Sequence, residues 1–305
     1  MSKYDFAICK ACGQRTGEPR FKIQSNTTIR ICSSCGFHYI DALDDDQSIR
    51  EWTDRTDDAE TRNRSLELEL ESNKERMSNQ IALTKALTTL PGARCLDIGA
   101  GTGAYLDQLR GLDLDVTGLE PCADMRRCAK DRFGLDLHDA LAEDISEVLK
   151  DAARFDLITL WDVVEHLNFP HKVISAAAAL LRPNGHLIVA TPIRDTLYYE
   201  GSSLLYRVSR GRRSGWLDML YSPDPFGHKQ IFHSDELMEC GRQSGLSPVL
   251  KKRVRELAAP KSYYVDQIVP PGSIWRPAAP IVSSLLDTVQ FANKIWIAWQ
   301  KPASP

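Results

Sequence analysis

Fifteen residues constrain this chain most: "CLDIGAGTGAYLDQL", Cys95 to Leu109, starts as a buried strand, breaks into three glycines within five residues and resumes with helical spacing. The pattern continues downstream. Short apolar runs of strand character occupy 94–98, 115–119, 135–138, 155–161 and 186–191, and helical patterns at 104–111, 123–133 and 171–181 lie among them. Strands alternating with helices predict a parallel sheet covered on both faces, and in such sheets ligands sit at the carboxyl ends of the strands, where the glycine turn falls.

Gly99, Gly101 and Gly103 allow a sharp turn and a close ligand approach, with free N–H groups at the start of the next helix. Glu120 ends the second strand seventeen residues past Gly103, where a carboxylate accepts from both hydroxyls of a ribose. With Ala104 in the last place the stretch also satisfies the dinucleotide pattern, so the glycines leave NAD open. Asp97 discriminates: an anion two residues before the first glycine gains nothing from a pyrophosphate, whereas a ligand carrying an ammonium and a sulfonium is drawn to it. S-adenosylmethionine (SAM) is such a ligand.

A second constellation lies at the N-terminus. "CKAC" (Cys9, Cys12) and "CSSC" (Cys32, Cys35) are separated by nineteen residues, the spacing of a four-thiolate zinc site, and each pair is followed by a glycine, Gly13 or Gly36. Four thiolates leave no open position for water, so zinc here is expected to be structural; a disulfide pair or an iron site is the alternative. "FKIQSNTTIRI" between the pairs reads as a hairpin, making a small ribbon. Lys10, Arg15, Arg20, Lys22 and Arg30 suit either nucleic-acid contact or a solvated face beside a docking platform.

Composition bounds the rest. The chain has 305 residues, 43% of them hydrophobic, which suits one ordinary domain plus an appendage. Its formal charge of -3 argues against coating nucleic acid, although residues 1–40 hold six Lys or Arg against two acids and residues 41–75 thirteen acids against five bases. There is no N-terminal apolar leader pattern, and "VISAAAALL" is far short of the roughly 20 residues of a membrane span, so a cytoplasmic protein is expected. Leu66, Leu70, Met77, Ile81 and Leu87 predict a long helix ending at "LPG", Leu90 to Gly92.

Taken together, "DIGAGTG" (Asp97 to Gly103), Glu120, "FDLITLWDVVEHL" (Phe155 to Leu167), "LLRPNGHLIVATP" (Leu180 to Pro192) and "NKIWIAWQKP" (Asn293 to Pro302) resemble a class I SAM-dependent methyltransferase, within the bacterial group in which that fold follows a four-cysteine zinc ribbon. The resemblance implies an α/β, Rossmann-like seven-stranded sheet with a lid insertion. Its units would be a ribbon over 1–40, an acidic linker and helix start over 41–75, and a methyltransferase domain over 76–305 with the lid at about 193–233. The sixth and seventh strands would fall at 247–257 and 293–300, with a helix at 280–292. In the family the turn, including Ala100, wraps the amino-acid end and ribose of SAM. Residues at the positions of Ala140 and Leu141 flank adenine, and those at Trp161 and Asp162 line the methyl-donor pocket. Asn184 stands where the family usually has a glycine, and Ile193 where Asn is common.

The transfer is an in-line displacement needing alignment and, for a hydroxyl acceptor, proton removal. His166 in "EHL" is the first candidate base, against the plainer reading that Glu165 and His166 orient a local helix; His228 is the second candidate. Tyr198, Tyr199, Tyr206, Trp216 and Tyr221 with Arg207, Arg210, Arg212 and Arg213 in the lid suit an anionic acceptor such as a nucleotide- or polymer-linked sugar, or are simply solvated. His233 is expected at a helix start with Ser234 as N-cap. O-methylation of a small molecule or glycan precursor is the expected function. RNA methylation and a non-catalytic SAM-binding scaffold are the competing readings.

Overall fold

A computed structural model describes residues 4–23, 26–54, 73–88, 91–152, 154–212, 214–256, 271–288 and 292–303, together with Glu67, Leu70, Ser262, Val265, Asp266 and Val269. The alternating N-terminal segments form a three-stranded antiparallel sheet, β1 (Gly17–Lys22), β2 (Thr28–Cys32) and β3 (His38–Ile40), paired in sequence order. Gly13 and Gly36, just past the cysteine pairs, have φ of +71° and +77°, the left-handed turn that closes each pair.

Helix α1 (Asp46–Thr53) starts where the Asp45 carboxylate accepts from Ser48 N–H at 2.7 Å. Helix α2 (Lys74–Leu87) begins at its N-cap Asn73, so the one long helix expected from Leu66 is interrupted there; Leu66 and Leu90 lie outside the described residues, as does most of the acidic linker after Asp54. Its buried residues are Gln80 and Thr84, whose hydroxyl lies 2.6 Å from the Oη of Tyr105 on the helix that follows the glycine turn, while Met77, Ile81 and Leu87 pack on the apolar face of the sheet.

The main sheet comprises β4 (Arg94–Ile98), β5 (Asp115–Leu119), β6 (Phe155–Trp161), β7 (Leu181–Pro192), β8 (Ser247–Val254) and β9 (Lys294–Gln300), ordered β5-β4-β6-β7-β9-β8. The first four are parallel; β9 runs antiparallel to both β7 and β8. Helices α3 (Ala104–Arg110), α4 (Ala123–Phe133), α5 (Pro170–Leu180), α6 (Leu197–Val208), α7 (Ser234–Gln243) and α8 (Ala279–Thr288) connect or flank them. Because strand side chains alternate, Leu187, Val189, Ile297 and Trp299 join one apolar cluster, and Ile188, Ala190, Trp296 and Ala298 join another on the opposite face.

Six strands, not seven, pair among the described residues. The segment expected as the third strand reaches β5 through a single parallel bridge, Leu119 with His138. Two backbone hydrogen bonds join it to the end of β5, His138 N–H to Gly118 O and Glu120 N–H to His138 O. Strand β7 begins at Leu181, five residues earlier than expected, and passes Asn184 at φ +64°, the conformation that glycine favours and asparagine tolerates. The expected strand to 257 ends at Val254, and residues 289–291 of the expected 280–292 helix lie outside the described residues.

The ribbon is welded to the larger sheet. Tyr39 bridges Gln230, Ile40 N–H donates to Lys229 O at 2.9 Å, and Phe37 and Phe232 have ring centroids 5.3 Å apart. Arg194 donates to Gly36 O and pairs with Glu236 at the start of α7. Tyr199, Leu217 and Tyr221 share an apolar cluster with Phe21, Ile23, Ile29 and Ile40. Three tyrosines expected over an acceptor are therefore spent on the ribbon interface: Tyr199 Oη meets His38 Nδ1 at 2.7 Å and Tyr221 Oη at 3.2 Å, and Tyr206 Oη accepts from Lys22 N–H at 2.9 Å. Burying their rings against the hairpin removes more apolar surface from water than an exposed lid would. Arg213 and the side chain of Trp216 lie outside the described residues.

Candidate functional site

Two groups of side chains gather at the carboxyl ends of β4 to β7. The first surrounds the glycine turn. Gly99, Gly101 and Gly103 have φ of +75°, +54° and +76°. At Gly99 a Cβ would come within 2.7 Å of Val163, and at Gly103 within 3.0 Å of Ala129, whereas at Gly101 it would meet nothing within 4 Å. Two of the glycines are thus required by protein packing, and Gly101 faces open space that a ligand can enter. Glu120 closes the loop: its Oε2 accepts from Gly101 N–H and its Oε1 from Cys122 N–H, each at 2.8 Å. The arrangement fixes the carboxylate across the mouth of the turn.

Asp97 lies at the base of the same turn, 3% exposed, with Thr159 donating to its Oδ1 at 2.6 Å. Burial pushes its pKa up to about 7, opposed by the Thr159 hydrogen bond and reinforced by the nearby Glu120 charge. A buried carboxylate held near neutrality suits a cationic ligand group, whose arrival would restore its charge. Ala100 is buried within the turn; Ala140 is buried and Leu141 half-buried just after the bridge at His138.

Trp161 and Asp162 end β6 but face different surroundings. Trp161 packs edge-on between Tyr105 and Trp296, in the core. Asp162 adopts φ +57°, and its Oδ2 accepts from Arg76 at 2.9 Å and Lys294 at 2.6 Å, while its buried Oδ1 has no hydrogen-bond partner. Buried at the end of β6, that oxygen can accept a hydrogen bond from a ligand donor.

The second group is Glu165, His166 and His228, whose ligand atoms lie within 4.8 Å of one another. Glu165 is buried and accepts from Thr191 Oγ1 at 2.9 Å; burial and the Asp162 charge push its pKa up to about 7. His166 Nε2 is 3.9 Å from Glu165 Oε1, and its buried Nδ1 has no hydrogen-bond partner. The His166 and His228 rings are 4.9 Å apart between centroids, and His228 Nδ1 lies 3.2 Å from Leu220 O. Burial pulls both imidazoles below their usual range, keeping them neutral at physiological pH. Two imidazoles and a carboxylate can accept a proton or hold a divalent ion.

The four N-terminal sulfurs form the third cluster. Cys9 Sγ lies 3.7 Å from Cys35 Sγ, and Cys12 Sγ 3.7 Å from Cys32 Sγ. Four sulfurs at about 2.3 Å from a central zinc are about 3.8 Å apart, so the set fits that ion, and none is in a disulfide. Ala11 N–H and Cys35 N–H point at Cys9 and Cys32 sulfurs at 3.4 Å, supporting thiolate charge. Of the ribbon cations, Lys10 is buried against Ala42 O, Arg15 pairs with Asp5 and Arg30 donates to Gly17 O. His233, not Ser234, is the N-cap of α7, accepting from Asp235 N–H through Nδ1; Ser234 instead binds Asp195.

Arg76, Lys294, Asp44 and Lys229 went unnoticed in the sequence. Lys294 opens the final strand pattern, a signal that a charge faces the strand ends; the others lie in polar segments without distinguishing spacing.

Comparison with known proteins agrees with this fold. In curated relatives the chain is 29% identical over 161 residues to the ubiquinone biosynthesis O-methyltransferase of Coxiella burnetii, a match covering 52% of this chain and 65% of that protein. It is 32% identical over 116 residues to the protein of the same name from Rhodopseudomonas palustris, covering 36% and 44%. The chain thus spans about half the length of the curated relatives it matches. In fold it resembles a chain from the complex of the Haloferax volcanii Trm112 methyltransferase activator with a putative methyltransferase, at a TM-score of 0.52 and 14% identity over 86% of this chain and all of that one. Residues 61–251, more than half of the chain, match the family described as methyltransferase domain, and the protein belongs to that family of SAM-dependent methyltransferases.

Proposed function

We propose that this chain transfers the sulfonium methyl of SAM to a hydroxyl oxygen of a small-molecule acceptor, with His166 as the proton acceptor. The observation that carries this reading is the pairing of a ligand-ready glycine turn, closed by Glu120, with a neutral His166–His228 pair around buried Glu165 at the neighbouring strand ends. The O-methyltransferase relatives support the choice of oxygen.

SAM supplies a methyl group already activated by its sulfonium. Glu120 and the Gly99–Gly103 turn would hold ribose and the amino-acid end, Asp97 would meet the cationic end, and Ala140 and Leu141 would border adenine. With SAM bound, an in-line displacement would become available, and His166 would take the proton that the acceptor hydroxyl loses as its oxygen gains the methyl group. Glu165, held by Thr191, stabilises the imidazolium that results. Cys9, Cys12, Cys32 and Cys35 would hold one structural zinc. RNA is disfavoured as acceptor because two of the five ribbon cations, Lys10 and Arg30, are spent within the protein.

The test is calorimetry with S-adenosylhomocysteine (SAH), followed by labelled methyl transfer from SAM into small-molecule extracts and, separately, total RNA of cells lacking the gene. Tight SAH binding and a labelled, base-stable ether product are expected. Absence of SAH binding, or label only in RNA, overturns the reading.

A further inference from the structure

Four residues past the end of β3, the chain places Asp44 between the two segments that carry the imidazoles. Its main chain is clamped to one of them: Asp44 N–H donates to Asn168 Oδ1 and Asn168 Nδ2 donates to Asp44 O, both at 2.9 Å. Asn168 is two residues beyond His166. The Asp44 carboxylate holds the other segment. Its Oδ2 accepts from Phe226 N–H at 3.0 Å, two residues before His228, and its Oδ1 pairs at 2.9 Å with the ammonium of Lys229, the residue after His228.

Lys229 is wholly buried, and its ammonium also donates to Asp224 O at 2.5 Å and Gly227 O at 3.3 Å, gathering the turn that precedes His228 around itself. The two segments then meet directly, through Lys229 N–H to Glu165 O at 2.8 Å and Gln230 Nε2 to Val164 O and Leu167 O, each at 2.8 Å. A buried ion pair adds little net stability compared with apolar residues of the same volume, although losing one partner is costly. Stability alone therefore gives no reason for a charge pair here. What the pair does geometrically is fix two backbones where their side chains bring His166 and His228 within 4.9 Å.

We infer that Asp44 is a positioning residue for the His166–His228 pair, so that the segment leaving the ribbon sets the geometry of the acceptor side. The inference rests on the assignment of that pair to the acceptor side. The charges bearing on the two rings are Glu165, Asp162 and Lys229, each carried by one of the clamped segments or the strand end beside them.

The experiment is a histidine-ring NMR titration of the full chain, with His166 and His228 assigned through H166Q and H228Q, in the parent and in D44A, N168A, D44E and D44A/K229M. In the parent, removing one ring shifts the titration of the other. In D44A/K229M both midpoints move up toward an ordinary imidazole and that mutual dependence disappears, whereas in D44A alone the stranded Lys229 ammonium opposes the rise. D44A strands a buried ammonium and melts earlier; D44A/K229M recovers the melting temperature but keeps the rings uncoupled. N168A loosens the His166 side without a charge change, and D44E regains part of the coupling.

Parent-like midpoints and coupling in both N168A and D44A/K229M would overturn the inference, leaving Asp44 as a fold staple. The two readings fail separately: full methyl transfer by H166Q removes the proton-acceptor assignment while the Asp44 result stands, and unchanged ring titrations do the reverse.

Discussion

His166 and His228, sixty-two residues apart in sequence, stand ring to ring with centroids 4.9 Å apart and planes tilted by 54°. Their pairing makes a definite kinetic statement. Burial lowers both pKa values, so the bases are already neutral at pH 7 and become protonated only as pH falls below the usual imidazole range. Turnover at saturating SAM, read as SAH release on the acceptor-containing extract, should fall on the acid side, first as Glu165 takes a proton near pH 7 and further as the imidazoles do. His166→Gln should cut the rate about 10²- to 10⁴-fold with SAH affinity unchanged. A loss of SAH binding in that variant would instead place His166 in the cofactor pocket.

Asp97 links cofactor binding to pH. Its pKa is about 7 in the ligand-free protein, so below that pH the carboxyl is protonated and meets a cationic ligand without charge. SAH affinity should therefore weaken about tenfold per unit below pH 7, and binding near pH 7 should release a proton, seen as a buffer-dependent heat in calorimetry.

The same group predicts a stability trade. Because the folded pKa lies above the unfolded 3.8, its contribution to stability is fully present below pH 4 and lost as pH rises through about 7. Asp97→Asn removes that loss. The ligand-free variant should be more stable than the parent at pH 8, by up to about 4 kcal/mol from the roughly three-unit shift, and indistinguishable at pH 4. Glu165 is shifted in the same direction, so some alkaline loss persists in the variant. Denaturant midpoints at the two pH values check it, with SAH affinity reduced relative to the parent at pH 8.

Glu120 carries the shape of the turn as well as the ligand. Glu120→Ala leaves Gly101 and Cys122 N–H groups without their acceptor and opens the loop they close. Loss of a charged hydrogen-bond acceptor costs about 1.5–3 kcal/mol, which corresponds to a ten- to hundredfold weaker SAH dissociation constant by calorimetry. Glu120→Gln, retaining one acceptor oxygen, should fall between the two.

The parts legible in the sequence are those whose chemistry is local. The glycine turn, the Cys pairs and the carboxylate ending β5 each need only a few neighbouring residues, and each occupies the structural position its spacing implies. The His166–His228 contact and the Asp44 clamp were illegible because they join segments 62 and about 180 residues apart, and a polar residue in a loop gives no sign of its partner. Aromatic residues misled for another reason. Tyr199, Tyr206 and Tyr221 present faces as suited to a hairpin as to a sugar, and only the folded chain shows that Phe21, Ile29 and Ile40 lie against them. The third strand was overread because four residues with strand character suffice for one bridge, not a ladder.

Zinc removal should reach well beyond the ribbon. Cys9 and Cys32 belong to the same apolar cluster as Phe37, Tyr39, Phe232, Leu237 and Trp299, so the ribbon and the main sheet share one core. The hairpin is too small to hold itself together without the four-sulfur site, and its unfolding would expose the faces of Phe232 and Tyr199. Scanning calorimetry should show one cooperative transition in the zinc-loaded chain, carrying one zinc per molecule. A chelator, or Cys12→Ser, should move that whole transition several degrees lower rather than shed a small early one. Two separate transitions, with the larger unmoved by chelation, would mean that the ribbon rests on the sheet without sharing its stability.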